Sequence, residues 1–205
     1  MEKKILPIVL TSLILLGCGV STEKKIEKVV NEDVKKNLYI PDSYDPVETI
    51  VDSAFSPYDN PIFLDKMMQL VELGSELEKI EFQLKQAKSS MALWEDQKYG
   101  YYSSYERNEY EEAKENYEKA LEQQSLFQSK GESIANEIRE IVEDGNYFVG
   151  YKVTHRYRAK NNAGRTFMAD RVLFLDKEAT KVVANYGSDD YKAIQMAIDV
   201  LSNNQ

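Results

Sequence analysis

A chain of 205 residues with one cysteine, Cys18, and one histidine, His155, has few routes to covalent chemistry. A disulfide needs two thiols, and the common zinc sites need several thiolates or imidazoles. A histidine-based triad would need a nucleophile and an orienting acid converging on His155, and no candidate for either can be placed there. By strand alternation His155 falls on the apolar side of its segment. A buried, hydrogen-bonded imidazole is the expected state, with a ligand or base as the alternative. Carboxylates are plentiful, but dense runs such as Glu106 to Glu118 have the i,i+4 lysine spacing of an exposed helix face. No catalytic, cofactor-binding or metal-binding residue is assigned, and carboxylate-driven hydrolysis is the weakest reading.

Two other groups of residues have binding chemistry. Residues 151–181 carry eight Lys and Arg against three Asp and Glu, a basic stretch in a chain of net charge −9. Within it Lys152, Arg156 and Arg158 share one face of an alternating strand and could meet an anionic ligand such as a lipid headgroup or an acidic glycan. The alternative is a solvated face, or one turned toward acidic residues of the same molecule. The second group is aromatic. Trp94, Tyr99, Tyr101, Tyr102 and Tyr105 lie within 12 positions and could bind a partner. They could equally close the end of a helical pair.

The third feature is the N-terminus. Lys3 and Lys4 precede an apolar run from Ile5 to Leu16, and Leu15-Leu16-Gly17-Cys18 follows. Twelve apolar residues are too few for a spanning helix, which needs about 20, and suit the core of a secretion signal. Small Gly17 fits the residue before a signal-peptidase cut, and Cys18 directly after it resembles the lipobox of bacterial lipoproteins. The resemblance implies that residues 1–17 are removed and that Cys18 is lipidated and becomes the new N-terminus. An ordinary signal peptide followed by a chance cysteine is the alternative. Two or three acyl chains on one residue hold a protein at a membrane, at about 0.8 kcal/mol per buried CH₂.

Removing residues 1–17 takes away Lys3, Lys4 and Glu2, so the mature chain of 188 residues carries −10. That charge argues against nucleic acid as a partner, because phosphate binding needs clustered cations. No later segment reaches 18 consecutive apolar residues.

The elements that would position these residues follow from periodicity. Ile26, Val29, Val30, Val34 and Leu38 form a helical stripe over residues 22–38. Pro41 ends it. A short strand is expected over 47–51 after Pro46, then a loop over 52–61. Leu70, Leu73, Leu77, Ile80, Leu84, Ala87, Met91 and Trp94 make a heptad stripe over 62–94. Tyr110, Ala113, Tyr117, Ala120, Gln124, Phe127, Gly131, Ile134, Ile138 and Ile141 make another over 105–143. Ser103 and Glu106 have capping-box spacing. At about 1.5 Å per residue the two helices are roughly 50 and 58 Å long and fold back as a coiled-coil-like hairpin. Gly145 ends it. The period then changes to two: strands are expected over 147–159, 166–175 and 181–186, with a turn at Asn161 to Gly164. A final helix follows Ser188 as N-cap. The strand at 47–51 must pair with the later ones, since a lone strand leaves its backbone unsatisfied. The fold class is therefore α+β: a small antiparallel sheet with flanking helices, interrupted by the hairpin. Residues 18–60 and 146–205 form the core domain, and 61–145 is the insertion.

The chain resembles small lipoproteins of Bacteroidales bacteria, a group to which no activity is attached. The resemblance lies in the lipobox, in Leu38-Tyr39-Ile40-Pro41-Asp42-Ser43-Tyr44-Asp45-Pro46-Val47, in Ser89-Ser90-Met91-Ala92-Leu93-Trp94 within a charged helical stretch, and in residues 150–161, Gly-Tyr-Lys-Val-Thr-His-Arg-Tyr-Arg-Ala-Lys-Asn. It implies a lipid anchor in the cell envelope, with the outer membrane as the expected site. Some members carry an acidic export signal after the cysteine, from which Gly19 to Lys25 departs. Periplasmic-facing and surface-facing orientations both stay open. Asp52-Ser53-Ala54 is similar to the short O-glycosylation motif of these bacteria, with Ser53 as acceptor; an unmodified loop serine is the alternative. The expected role is non-enzymatic, with the hairpin contacting a protein partner or a second copy. The alternative is a module that binds an anionic envelope component through Lys152, Arg156 and Arg158.

Overall fold

A computed structural model describes residues 21–95 and 104–203. The element order is α1 (Thr22–Lys36), β1 (Asp45–Phe55), α2 (Pro61–Trp94), α3 (Ser104–Glu143), β2 (Phe148–Lys160), β3 (Thr166–Leu175), β4 (Val182–Gly187) and α4 (Ser188–Asn203). The strands form one antiparallel sheet in the order β1-β2-β3-β4. The chain is α+β, and the two long helices stand between neighbouring strands.

Local chemistry explains the element ends. The Ser21 hydroxyl accepts from the Lys24 N–H at the start of α1, and Asn60 caps α2 through the Ile62 N–H at 2.9 Å, with Pro61 in the first turn. After α3, Gly145 adopts φ +83°, which ends the helix without a Cβ penalty. Gly150 is required for a different reason. A Cβ there would lie 2.0 Å from the Leu175 carbonyl oxygen, so only glycine lets β2 approach the end of β3 this closely.

The sheet is covered on both faces. On one, α1 lays Ile26, Val30 and Val34 over Val153, Tyr157, Ala159, Leu173 and Leu175. On the other, α4 and the near ends of α2 and α3 pack Phe63, Leu64, Met67, Ile134, Ile138, Ile194 and Ile198 over Val172, Phe174 and Ala54. Each fully buried aliphatic side chain contributes about 1.5–3 kcal/mol of transfer free energy. Three such residues on α1 bind a helix of 15 residues that would be marginal alone.

The hairpin seam keeps its heptad spacing. Leu73, Ile80 and Ala87 on α2 are buried, as are Ala113, Ala120 and Ile134 on α3. Gly131 makes room in the seam: a Cβ there would sit 3.2 Å from Leu73 Cδ2, so its absence accommodates the leucine.

Three expectations need correction. The first strand runs over Asp45–Phe55 rather than 47–51, which shortens the expected loop and puts Ser53 inside the strand. Pairing with a 13-residue β2 extends it, an influence that strand propensity over a few residues does not contain. Pro46 lies within β1 rather than ahead of it. It is tolerated because β1 is an edge strand with a register shift between Pro46 and Glu48. Ser188 is the first residue of α4 rather than its N-cap. The expected Ser103 cap lies outside the described residues.

Candidate functional site

Strand β2 carries the residues that sequence reading singled out, and its two faces differ sharply. On the α1 face His155 is fully buried. Its Nε2 lies 2.7 Å from the Tyr44 hydroxyl, and its Nδ1 lies 2.9 Å from Thr49 Oγ1. The Tyr44 hydroxyl donates its single proton to Asn31 Oδ1. The Tyr44 oxygen must therefore accept from His155, which makes Nε2 the protonated nitrogen and Nδ1 an acceptor for the Thr49 hydroxyl. The result is a directed chain, Thr49 to His155 to Tyr44 to Asn31, joining α1, the segment after it, and strands β1 and β2. The imidazole also stacks on the Tyr157 ring, with centroids 5.6 Å apart. Burial lowers the His155 pKa, with only partial opposition from the Glu48 backbone. The Tyr44 hydroxyl is pushed up to about 12 by burial and by Tyr157. Both groups are held neutral, and the His155 ring is closed off from solvent. His155 is a buried, hydrogen-bonded histidine, as its place on the apolar side suggests.

On the opposite face Lys152, Arg156 and Arg158 do point the same way, and each meets a carboxylate. Arg156 donates from Nε to Asp170 at 2.7 Å and lies 3.9 Å from Glu48. Arg158 lies 3.5 Å from Asp45. Lys152 lies 3.1 Å from Asp59. The strand neighbours explain this pattern: Asp45 stands opposite Arg158, Glu48 opposite Arg156 on β1, and Asp170 opposite Arg156 on β3. Three cations of the basic stretch thus become part of a charge-balanced ladder in space.

Lys152 differs from the two arginines. Its partner Asp59 is only 19 % exposed and also accepts from the Phe55 N–H at 3.2 Å, closing the turn that leads into α2. Burial works against the ammonium, but the Asp59 hydrogen bond, with Tyr191, Asp59 and Asp52 nearby, outweighs it and raises the Lys152 pKa. Lys152 therefore fastens the sheet to the base of the hairpin. Asp59, Asp170 and Tyr44 are residues that sequence reading did not assign, because their roles depend on strand register.

At the hairpin end, Trp94 is half-buried and packs edge-on against Tyr105, with centroids 6.4 Å apart. Tyr105 is itself exposed, and its pKa is raised by a hydrogen bond to Glu109. These two rings bridge the end of α2 and the start of α3. Tyr99, Tyr101, Tyr102 and Cys18 lie outside the described residues. Ser53 is exposed on the edge strand β1. Among the described residues no group of three or more His, Cys, Asp or Glu is placed to hold a metal, and no helix is long and apolar enough to cross a membrane. Comparison with family models, with characterised proteins and with solved structures returned no match.

Proposed function

We propose that the protein is a lipid-anchored lipoprotein of the cell envelope, attached through Cys18, with a non-enzymatic role in which the helical hairpin contacts a protein partner or a second copy. The hairpin supports this reading. Its near end contributes Phe63, Leu64, Met67, Ile134 and Ile138 to the core. Leu73, Ile80 and Ala87 are buried but belong to neither sheet core; they pack within the hairpin alone. From Leu73 to Trp94 the pair extends for about 30 Å. That arm carries exposed apolar side chains at Phe82, Leu93 and Leu126. Phe82 and Leu93 are eleven residues apart, about three turns, so they lie on one side of α2. An arm of this length adds nothing to the sheet core and gives reach.

Two experiments test the reading. Cys18→Ser should release the protein from membranes or leave an uncleaved precursor; normal processing and retention would remove the anchor from the proposal. A photo-crosslinker placed at Leu93 in cells should yield one adduct of defined mass that disappears in a Phe82→Asp background. A monomer without adducts would end the contact role and leave the anchor untouched.

A further inference from the structure

On the other face of the sheet, Arg171 has no carboxylate ion-pair partner among the described residues. A groove of about 310 Å³ opens between the end of α1 and the β2–β3 hairpin. Its floor follows alternate residues of β3: Phe167, the small Ala169, and Arg171. Phe167 and Arg171 are four residues apart on a strand, about 13 Å. Tyr39, which follows α1 and is 77 % exposed, forms one wall with Asn37. Asn162 and Lys160 form the other, from the hairpin turn. No acidic residue lines the groove. Arg171 forms no ion pair among the described residues, in contrast to Arg156 and Arg158 across the sheet.

This combination has a specific complement. An exposed ring at Tyr39 and a part-exposed ring at Phe167 offer flat apolar faces. A carboxamide at Asn162 can donate and accept with hydroxyl groups, and the guanidinium of Arg171 suits a carboxylate through paired N–H donors. The volume is at the small end of ligand sites, enough for one ring-sized unit. We propose that this groove binds a carboxylated sugar residue of a polysaccharide, with its acid on Arg171 and its ring against Tyr39. The reading is independent of the hairpin and of the lipid anchor. It moves the anion-binding face from the Arg156 ladder to the α1 side.

The test uses the purified full-length protein and isothermal titration calorimetry with a tetramer of galacturonic acid, its fully methyl-esterified form, and sodium sulfate. Wild type should bind the acid tetramer, and the ester, which keeps the rings but loses the charge, at least tenfold more weakly. Tyr39→Ala alters an exposed side chain and should cost about tenfold in affinity while leaving the melting curve unchanged. Arg171→Gln should abolish binding, and Arg156→Gln should leave it intact. No heat with the acid tetramer at millimolar concentration would overturn the proposal. Equal binding of the ester would remove the acid, and sulfate binding as tight as the tetramer would reduce the site to a bare anion contact. Unchanged affinity in Tyr39→Ala would place the ligand elsewhere.

Discussion

One strand, β2, has two faces that treat polar groups in opposite ways. On the α1 side, Thr49, His155, Tyr44 and Asn31 are linked donor to acceptor around a fully buried ring. On the far side, Arg156 and Arg158 are about half exposed and rest against carboxylates that water also reaches. The buried set is uncharged and loses a full hydrogen bond whenever one member is removed. The exposed set is charged, and water replaces any partner it loses. Charge density along the sequence thus points to the face with less at stake, whereas the single histidine marks the face where structure depends on one side chain.

The comparison breaks first at His155. His155→Ala removes two hydrogen bonds and leaves the Tyr44 oxygen and the Thr49 hydroxyl without their partner at a part-buried site. The expected loss is about 2–4 kcal/mol, read as a lower urea midpoint with an unchanged slope. A loss below about 1 kcal/mol, the scale of an ordinary surface change, would mean that water enters and substitutes for the ring. The pH dependence sharpens the same point. The folded-state pKa of His155 lies below its ordinary value of 6.5. Above pH 6.5 both folded and unfolded chains hold the ring neutral, and its contribution is fully present. As the pH falls below 6.5 the unfolded chain takes up a proton that the folded chain refuses, so stability falls until the folded value is passed. Carboxylates elsewhere add their own acid dependence, so the measurement is the difference between wild type and His155→Gln from pH 7.5 to 5. Parallel curves would show that the ring is protonated freely in the folded state.

Lys152 lies between the two extremes and should respond in between. It shares the face of the arginines, but Asp59 beneath it is mostly covered and also closes the Phe55–Asp59 turn. Lys152→Ala leaves that carboxylate without its cation, at an expected cost of about 1–2 kcal/mol. Lys152→Arg should recover part of it. If the alanine variant melts with wild type, the sheet and the hairpin base are held together by the apolar contacts around Phe63 and Leu64 alone.

Periodicity made much of this molecule legible. The α2 and α3 stripes repeat every three or four residues over many turns, so their buried positions at Leu73, Ile80, Ala87, Ala113 and Ala120 follow from spacing alone. Strand alternation likewise placed His155 inside and Arg156 outside. What stayed hidden depends on register between segments far apart in the chain. Asp170 is fourteen residues from Arg156, and Asp45 more than a hundred from Arg158, yet each sits across a ladder rung or beside one. Tyr44 and Thr49 reach His155 for the same reason. Tyr39 and Arg171 share a groove only because α1 ends where the β2–β3 turn begins, a packing relation that leaves no mark in spacing.

Arg156 is the smallest effect and the sharpest control. Its side chain is 46 % exposed, and the one close contact, to Asp170, joins two solvated groups. Arg156→Gln should leave the melting temperature within the error of the scan, because water takes over the lost donors and exposed pairs contribute little. Arg156→Glu combined with Arg158→Glu is a different perturbation. It sets two new carboxylates beside Asp45, Glu48 and Asp170, like charges across neighbouring strands, which destabilise a sheet. The double variant should melt lower at low salt and recover as ionic strength rises and the Debye length falls to a few ångströms. A drop in Arg156→Gln as large as that of Lys152→Ala would mean that the ladder holds the strands in register. The two faces of β2 would then differ in exposure but not in what they contribute to the fold.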